Sequence, residues 1–521
     1  MGFLEWLSHE TSLHSLLTHG TRDIYIILLS RFLRMYAYGG AALVLGIFLY
    51  TAGNSGPQIG AFMSMTLLGD AAISYVLTMI SDKIGRRRVL RIGSLLMTLA
   101  GTVFASTKNY YLLLFAAIFG VISPGAHEVG PFRAVEESTL AQLTPIEART
   151  DVYAWFAVTS TIGMSLGLCV SGWITYVLRT YFEWDWKEGH MYPFIFAIYA
   201  VVGVVKFCLT FLLSDRCEAN YDRQTEMDVA EREASAPLMG GGDRRTSYST
   251  PRKVSETVRR VGGTVHTKLT PESRTILIKL CCLFALNSFA SGMLPVTLMS
   301  WYANWRYRWF LTNRVGYTMA AVWLVASIAN LFSASVARRL GLIRAMVFTH
   351  LPTAIFLAFI PLASTWWLMA MLLLASSAFG SMDQAPRSAF VAAVFLPSER
   401  TAVMGTLNLV RTLAAAGGPL VTGYFHEKKM WTAVFFLSAV LKISYDIGLL
   451  VMFVNTKLPE TQRRPRDTTV TDVDVGILLS ESVTPPEAYE RVDDEEESGY
   501  MYERGYGNDQ GKWNYEHIEE L

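Results

Sequence analysis

Ser81-Asp82-Lys83-Ile84-Gly85-Arg86-Arg87-Arg88-Val89-Leu90 joins two apolar runs, Ile59 to Ile80 and Val89 to Ala105. Each run is close to the ~20 residues that a helix needs to cross a hydrocarbon core of about 30 Å. An aspartate, a glycine and three arginines have no place in lipid, so the turn between the runs lies in water. Gly85 suits a tight reversal that calls for positive φ. Short loops rich in Lys and Arg stay on the cytoplasmic side. The turn therefore sets the orientation of both spans and, through them, of the chain.

The 521 residues are 52% hydrophobic and only 17% charged, and apolar runs of this length recur throughout. That composition describes a polytopic helical membrane protein, not a string of soluble domains. Twelve spans are predicted. In the first half they cover 24–50, 57–80, 89–106, 110–143, 151–178 and 192–214. In the second they cover 274–301, 314–336, 343–364, 366–396, 401–425 and 431–454. An even number places both termini in the cytoplasm. Lys83, Arg86, Arg87, Arg88, Arg91, Arg338, Arg339 and Arg344 then all fall inside. The loop from Trp301 to Arg314 breaks the rule, because Arg306, Arg308 and Arg314 fall outside. Its Trp301, Trp305 and Trp309 suggest a segment lying along the headgroups.

Outside the spans the chain is polar. Residues 1–21 read as a cytoplasmic N-terminal segment without a signal-peptide core, since Glu5, His9 and Glu10 interrupt it. Residues 215–273 are rich in charge, Gly and Ser and read as a disordered cytoplasmic linker. Residues 456–521 read as a disordered acidic tail, with Asp493-Asp494-Glu495-Glu496-Glu497 at its centre. The five cysteines have neither framework nor ligand spacing. No metal or other cofactor is expected, and nothing suggests nucleic-acid binding.

Internal repetition gives the large-scale plan. Glu128-Val-Gly-Pro131-Phe-Arg133 in the fourth span has a partner, Asp383-Gln-Ala-Pro386-Arg387, in the tenth. Pro145-Ile-Glu-Ala-Arg149-Thr150 matches Pro397-Ser-Glu-Arg400-Thr401, and Lys206 matches Lys442. Residues 22–214 and 274–455 are therefore two six-helix bundles related by pseudo-symmetry, an all-α plan that places a substrate site at mid-depth between them. The basic turn also resembles the signature loop between the second and third helices of the major facilitator superfamily, with Thr78 where the family carries a glycine. The resemblance covers roughly residues 22–455. It implies a twelve-helix transporter fold whose first, fourth, seventh and tenth helices line the cavity.

A charge at the bilayer centre costs about 2.5–3.5 kcal/mol on insertion scales, so the intramembrane charges are the candidate site. Arg34 and Asp70 lie at similar depth and could pair. Arg133 has Glu136 and Glu137 one helical turn away, and spacings of three and four put those side chains on one face. Glu128 sits near mid-membrane. Asp383 and Arg387 repeat the spacing of four in the second half, and Arg411 reaches comparable depth. Lys206 and the Lys442–Asp446 pair, on outer helices, read as structural ion pairs. Asp82, Gly85, Arg86 and Arg87 form the expected cytoplasmic gate. By resemblance, Asp82 would meet the start of the eleventh helix near Thr401.

The chemistry these groups support is alternating access to a small solute, with Glu128 or Asp383 taking up a proton near neutral pH. The arginines lean towards a polar or anionic metabolite. Efflux of drugs or toxins is the rival within the class. Gly163, Gly167 and Gly172 lack the proline of the family's antiporter motif, and Gly417-Gly418-Pro419 echoes it only in part. A transceptor or scaffold signalling through linker and tail is the rival from another class. No phosphate-binding glycine loop or nucleophile elbow points to an enzyme. The expected partners are a small-molecule substrate, protons and the bilayer around a monomer. The plasma membrane is the expected location, with a vacuolar or other endomembrane the alternative.

Overall fold

A computed structural model of the chain describes residues 16–18, 20–120, 122, 131–145, 148–182, 191–218, 271–307, 312–395 and 400–453. All of these fall within one structural unit, residues 1–462. Among them, the first half holds α1 (Arg22–Thr51), α2 (Gly56–Ile84), α3 (Arg86–Ser106), α4 (Tyr110–Phe119), α5 (Pro131–Leu143), α6 (Arg149–Tyr181) and α7 (Met191–Phe211). The second holds α8 (Pro271–Met293), α9 (Val296–Arg306), α10 (Thr312–Leu340), α11 (Leu342–Phe359), α12 (Trp366–Ser381), α13 (Gln384–Val394), α14 (Arg400–Glu427) and α15 (Trp431–Phe453).

The fourth, seventh and tenth predicted spans are each divided into two helices. Pro295 stands at the break between α8 and α9, where its missing N–H suits the N-cap of the new helix. Met382 and Asp383 form a turn between α12 and α13. α4 ends at Phe119 with Gly120 in a turn, and α5 covers Pro131–Leu143, so the single span predicted over 110–143 is interrupted after Phe119. Eight helices are long and apolar enough to cross a membrane among the described residues. The divided fourth and tenth passes, with the more polar α10 and α14, supply the rest of the twelve.

The two bundles repeat one packing scheme. In the first, α1 lies along α6 and α3 along α7; in the second, α8 lies along α14 and α11 along α15. The halves meet through α2 against α14 and α6 against α10, again equivalent pairs. Small residues allow these approaches. A Cβ on Gly167 would fall 2.0 Å from Tyr36 O on α1, and one on Gly60 would fall 2.4 Å from Pro419 O on α14. The glycines that looked like a damaged antiporter motif are thus the contact points of α6, Gly163 and Gly167 with α1 and Gly172 with Gly316 of α10.

The seam is closed on the outer side. The Glu427 carboxylate accepts the Gly56 N–H at 3.2 Å. The His426 ring packs on Trp301 at 4.0 Å, on Trp431 at 5.2 Å and on Tyr50 at 5.9 Å. Further in, Ser165 donates to Ala320 O at 2.9 Å, and Thr161 meets Ser327 at 3.0 Å near mid-span. Towards the cytoplasm, a Cβ on Gly405 of α14 would meet nothing within 4 Å.

One expectation needs correction. Trp301 does not lie along the headgroups: it is 2% exposed, because α9 continues the seventh pass and turns its aromatic side into the outer seam. Tyr307 then anchors the helix end by donating to Ala363 O and Thr365 O at 2.9 and 3.2 Å. Asp215–Cys217 form a 3-10 turn with Cys217 buried, and α8 already starts at Pro271.

Candidate functional site

Arg31 and Arg34 stand one turn apart on α1, and both are buried. The Arg34 fork donates Nη1 to Glu136 Oε1 at 2.9 Å and Nη2 to Glu136 Oε2 at 2.7 Å. Arg31 brings Nη1 within 3.6 Å of the same carboxylate, donates Nε to the Ser160 hydroxyl and lays its guanidinium 3.5 Å from the Phe156 ring centroid. Phe132, one turn before Glu136, takes Arg34 at 4.7 Å and the Lys206 ammonium at 4.4 Å. Such cation–π contacts contribute most when water is excluded, as it is here. Asp70 is also buried. It and Arg34 both act electrostatically on Tyr199, which stacks on Tyr38 at 6.1 Å.

Arg34 and Asp70, expected at similar depth, are both buried, and the two-pronged hydrogen bonding of the Arg34 fork goes to Glu136. Glu137 accepts from Arg133 at 2.7 Å in a half-exposed pair. Adjacent helical positions point about 100° apart, given 3.6 residues per turn, so one glutamate enters the bundle while its neighbour does not. Glu128 and His127 lie outside the described residues.

The second half holds the counterpart. Asp383 caps the break before α13 and pairs with Arg387, as the spacing of four predicts. Arg387 and Arg411 both approach the Phe284 ring of α8, at 5.8 and 6.0 Å. Among the described residues no carboxylate lies within ion-pair distance of Arg411. Behind this group, Lys442 of α15 donates to Ser291 at 2.9 Å and reaches Asn287 at 3.5 Å. One turn on, Asp446 faces His350 of α11, which sequence reasoning passed over. Its Nδ1 lies 2.9 and 3.0 Å from the two carboxylate oxygens.

On the cytoplasmic face Gly85 takes φ 103, as its turn requires. The Arg86 and Arg87 amides open α3 and donate to the Glu218 carboxylate at 2.7 and 3.4 Å. An anion there also meets the positive end of the helix dipole. Arg87 pairs with Asp215, while Arg86 donates to Gln142 at 2.8 Å. Gln142 donates in turn to Arg216 O and Glu218 O at 3.1 and 2.9 Å. Arg86 and Arg87, expected at a cytoplasmic gate, are therefore tied to the chain leaving α7. The side chains of Asp82 and Thr401 lie outside the described ones.

Comparison with known proteins agrees with this architecture. The family model of the Major Facilitator Superfamily matches residues 27–309 and 280–486. An uncharacterized membrane protein of Saccharomyces cerevisiae, YJR124C, is 33% identical over 457 residues, covering 85% of this chain and 97% of its own. The quinolone resistance protein NorA of Staphylococcus aureus is 22% identical over 192 residues, 37% of this chain and 45% of NorA. Among solved structures, the inward-open xylose transporter XylE of E. coli superposes with a TM-score of 0.60 at 12% identity, over 87% of this chain and 99% of XylE. Two pseudo-symmetric bundles, divided fourth, seventh and tenth passes, and a family match along most of the length make the chain a multi-pass membrane transporter, not an enzyme, of the Major Facilitator Superfamily.

Proposed function

We propose that the protein is a proton-coupled secondary active transporter of a small anionic solute, working by alternating access. One observation carries the solute class: Arg411, a partly buried guanidinium of α14 with no carboxylate within ion-pair distance among the described residues, stands with Arg387 at the face of Phe284. A buried charge without a counter-ion is expensive. A carboxylate or phosphate entering between the halves would offset it, and an arginine fork suits both. The open side of Gly405, on the same helix towards the cytoplasm, supports a path to the group from inside. The seam pairs α2–α14 and α6–α10 supply the surfaces about which equivalent bundles could rock.

The test is uptake by full-length protein in proteoliposomes, with a dicarboxylate, a sugar phosphate and xylose as probes. Anion uptake is expected in the wild type, with a loss of roughly tenfold or more in Arg411→Gln, the loss of about 1.4 kcal/mol. Uptake of xylose alone, equal in wild type and variant, would refute the anionic reading. The likeness to NorA favours efflux as a second reading, which inside-out vesicles accumulating a quinolone would support.

A further inference from the structure

We propose that His350 and Asp446 form a proton-binding dyad which sets the charge of the anion site; the proposal rests on the transport reading above and names the place of its coupling ion. The geometry is specific. His350 projects from α11 and Asp446 from α15, two helices packed along each other. The imidazole Nδ1 lies within hydrogen-bond distance of both carboxylate oxygens, at 2.9 and 3.0 Å, with side chains 4% and 0% exposed. Tyr445 closes the pocket edge-on, its ring 5.5 Å from that of His350. Imidazole is the side chain whose ordinary titration falls between about pH 5 and 8, and a carboxylate against Nδ1 is the partner that holds its cation in a dry site.

The groups around the dyad give its protonation a consequence. On its own helix, Lys442 stands one turn from Asp446. From α13, Arg387 acts on both His350 and Asp446, and Asp383 pairs with that arginine. From α14, Arg411 acts on Tyr445 and on Arg387. Facing α15, α8 contributes the uncharged Asn287 and Ser291. With the dyad unprotonated, three cations (Arg387, Arg411, Lys442) stand against two carboxylates (Asp383, Asp446) among the described residues. One added proton raises the surplus from one positive charge to two. A dry cluster with a larger surplus binds an anion more tightly, and linkage requires that the anion in turn favours the proton. The two would travel together, as a symport. Lys442 and the partly exposed Ser291 connect the dyad to α8.

The proton itself serves as probe, since it needs no knowledge of the solute. Full-length protein in proteoliposomes on a solid-supported membrane is given a pH jump across about pH 5 to 8 with no solute present. The wild type is expected to give a transient displacement current. His350→Gln and Asp446→Asn, each checked for monodispersity and folding, should reduce it to the level of protein-free liposomes. Asp446→Glu, which keeps a carboxyl and guards against a merely misfolded variant, should retain a current with a shifted pH midpoint. A full current in folded His350→Gln and Asp446→Asn would overturn the proposal, as would no current in folded Asp446→Glu. Because the current requires no flux, failure of every solute probe would count against the transport reading alone.

Discussion

Arg34 holds Glu136 through two parallel hydrogen bonds of 2.9 and 2.7 Å, in a pair from which water is almost wholly excluded. The same carboxylate serves Arg31 at 3.6 Å. Neutralising it would leave two buried guanidiniums with the carboxylate between them gone. Glu136→Gln is therefore expected to cost about 3–5 kcal/mol, the range for breaking a buried ion pair. Glu137→Gln, in the half-exposed pair with Arg133, should cost no more than about 0.5 kcal/mol. Thermal unfolding of the two variants in detergent checks the contrast; equal shifts would show that Glu136 does not organise the first bundle.

The contrast also shows where the sequence is legible. The apolar helical spans and the turn at Gly85 were readable, because burial in lipid and helical spacing leave one-dimensional traces. The Asp383–Arg387 pair was readable for the same reason, being local to one helix. Glu136 and Glu137 could not be told apart, since depth counting fixes the height of a residue but not its rotation. His350 left no trace as a lone histidine in an apolar run. Its only available signal was that it and Asp446 lie at similar heights above the inner ends of α11 and α15. Glu218 was hidden more completely: it caps α3 across 132 residues of chain, and nothing local distinguishes it from linker charge.

The docked start of the linker makes its own prediction. Cys217 is 1% exposed. Burial pushes its thiol up to about 12, the Asp23 carboxylate adds to the rise, and Arg87 opposes it. Thiolate is the reactive form, so at neutral pH the residue should be nearly inert to maleimide, its rate climbing only as pH rises. Glu218→Gln weakens the charged cap on the Arg86 and Arg87 amides and should loosen the turn. In a chain whose other cysteines are serine, labelling of Cys217 is expected to accelerate by at least about tenfold, equivalent to roughly 1.4 kcal/mol of local stability. An unchanged rate would mean that the turn is held by other contacts, such as the bonds from Ser214 to Asp23.

The outer seam can be tested through its closest approach. Gly60 of α2 lies so near α14 that an added Cβ would fall 2.4 Å from Pro419 O, a distance at which backbone must move. Gly60→Val places still more volume there, against a carbonyl that has no rotamer to yield. The halves should separate on the outer side, shifting the population away from the state in which Glu427 and His426 close over Gly56 and Trp301. Ser165 of α6, whose hydroxyl donates to Ala320 O across the other half of the seam, is a suitable reporter. With Ser165→Cys in a background lacking other cysteines, a membrane-impermeant maleimide applied from outside should label Gly60→Val faster than the parent, by about tenfold for each 1.4 kcal/mol of shift. If the rates agree while both proteins remain folded, the α2–α14 contact does not control outer closure, and the rocking seam would have to be sought at α6–α10.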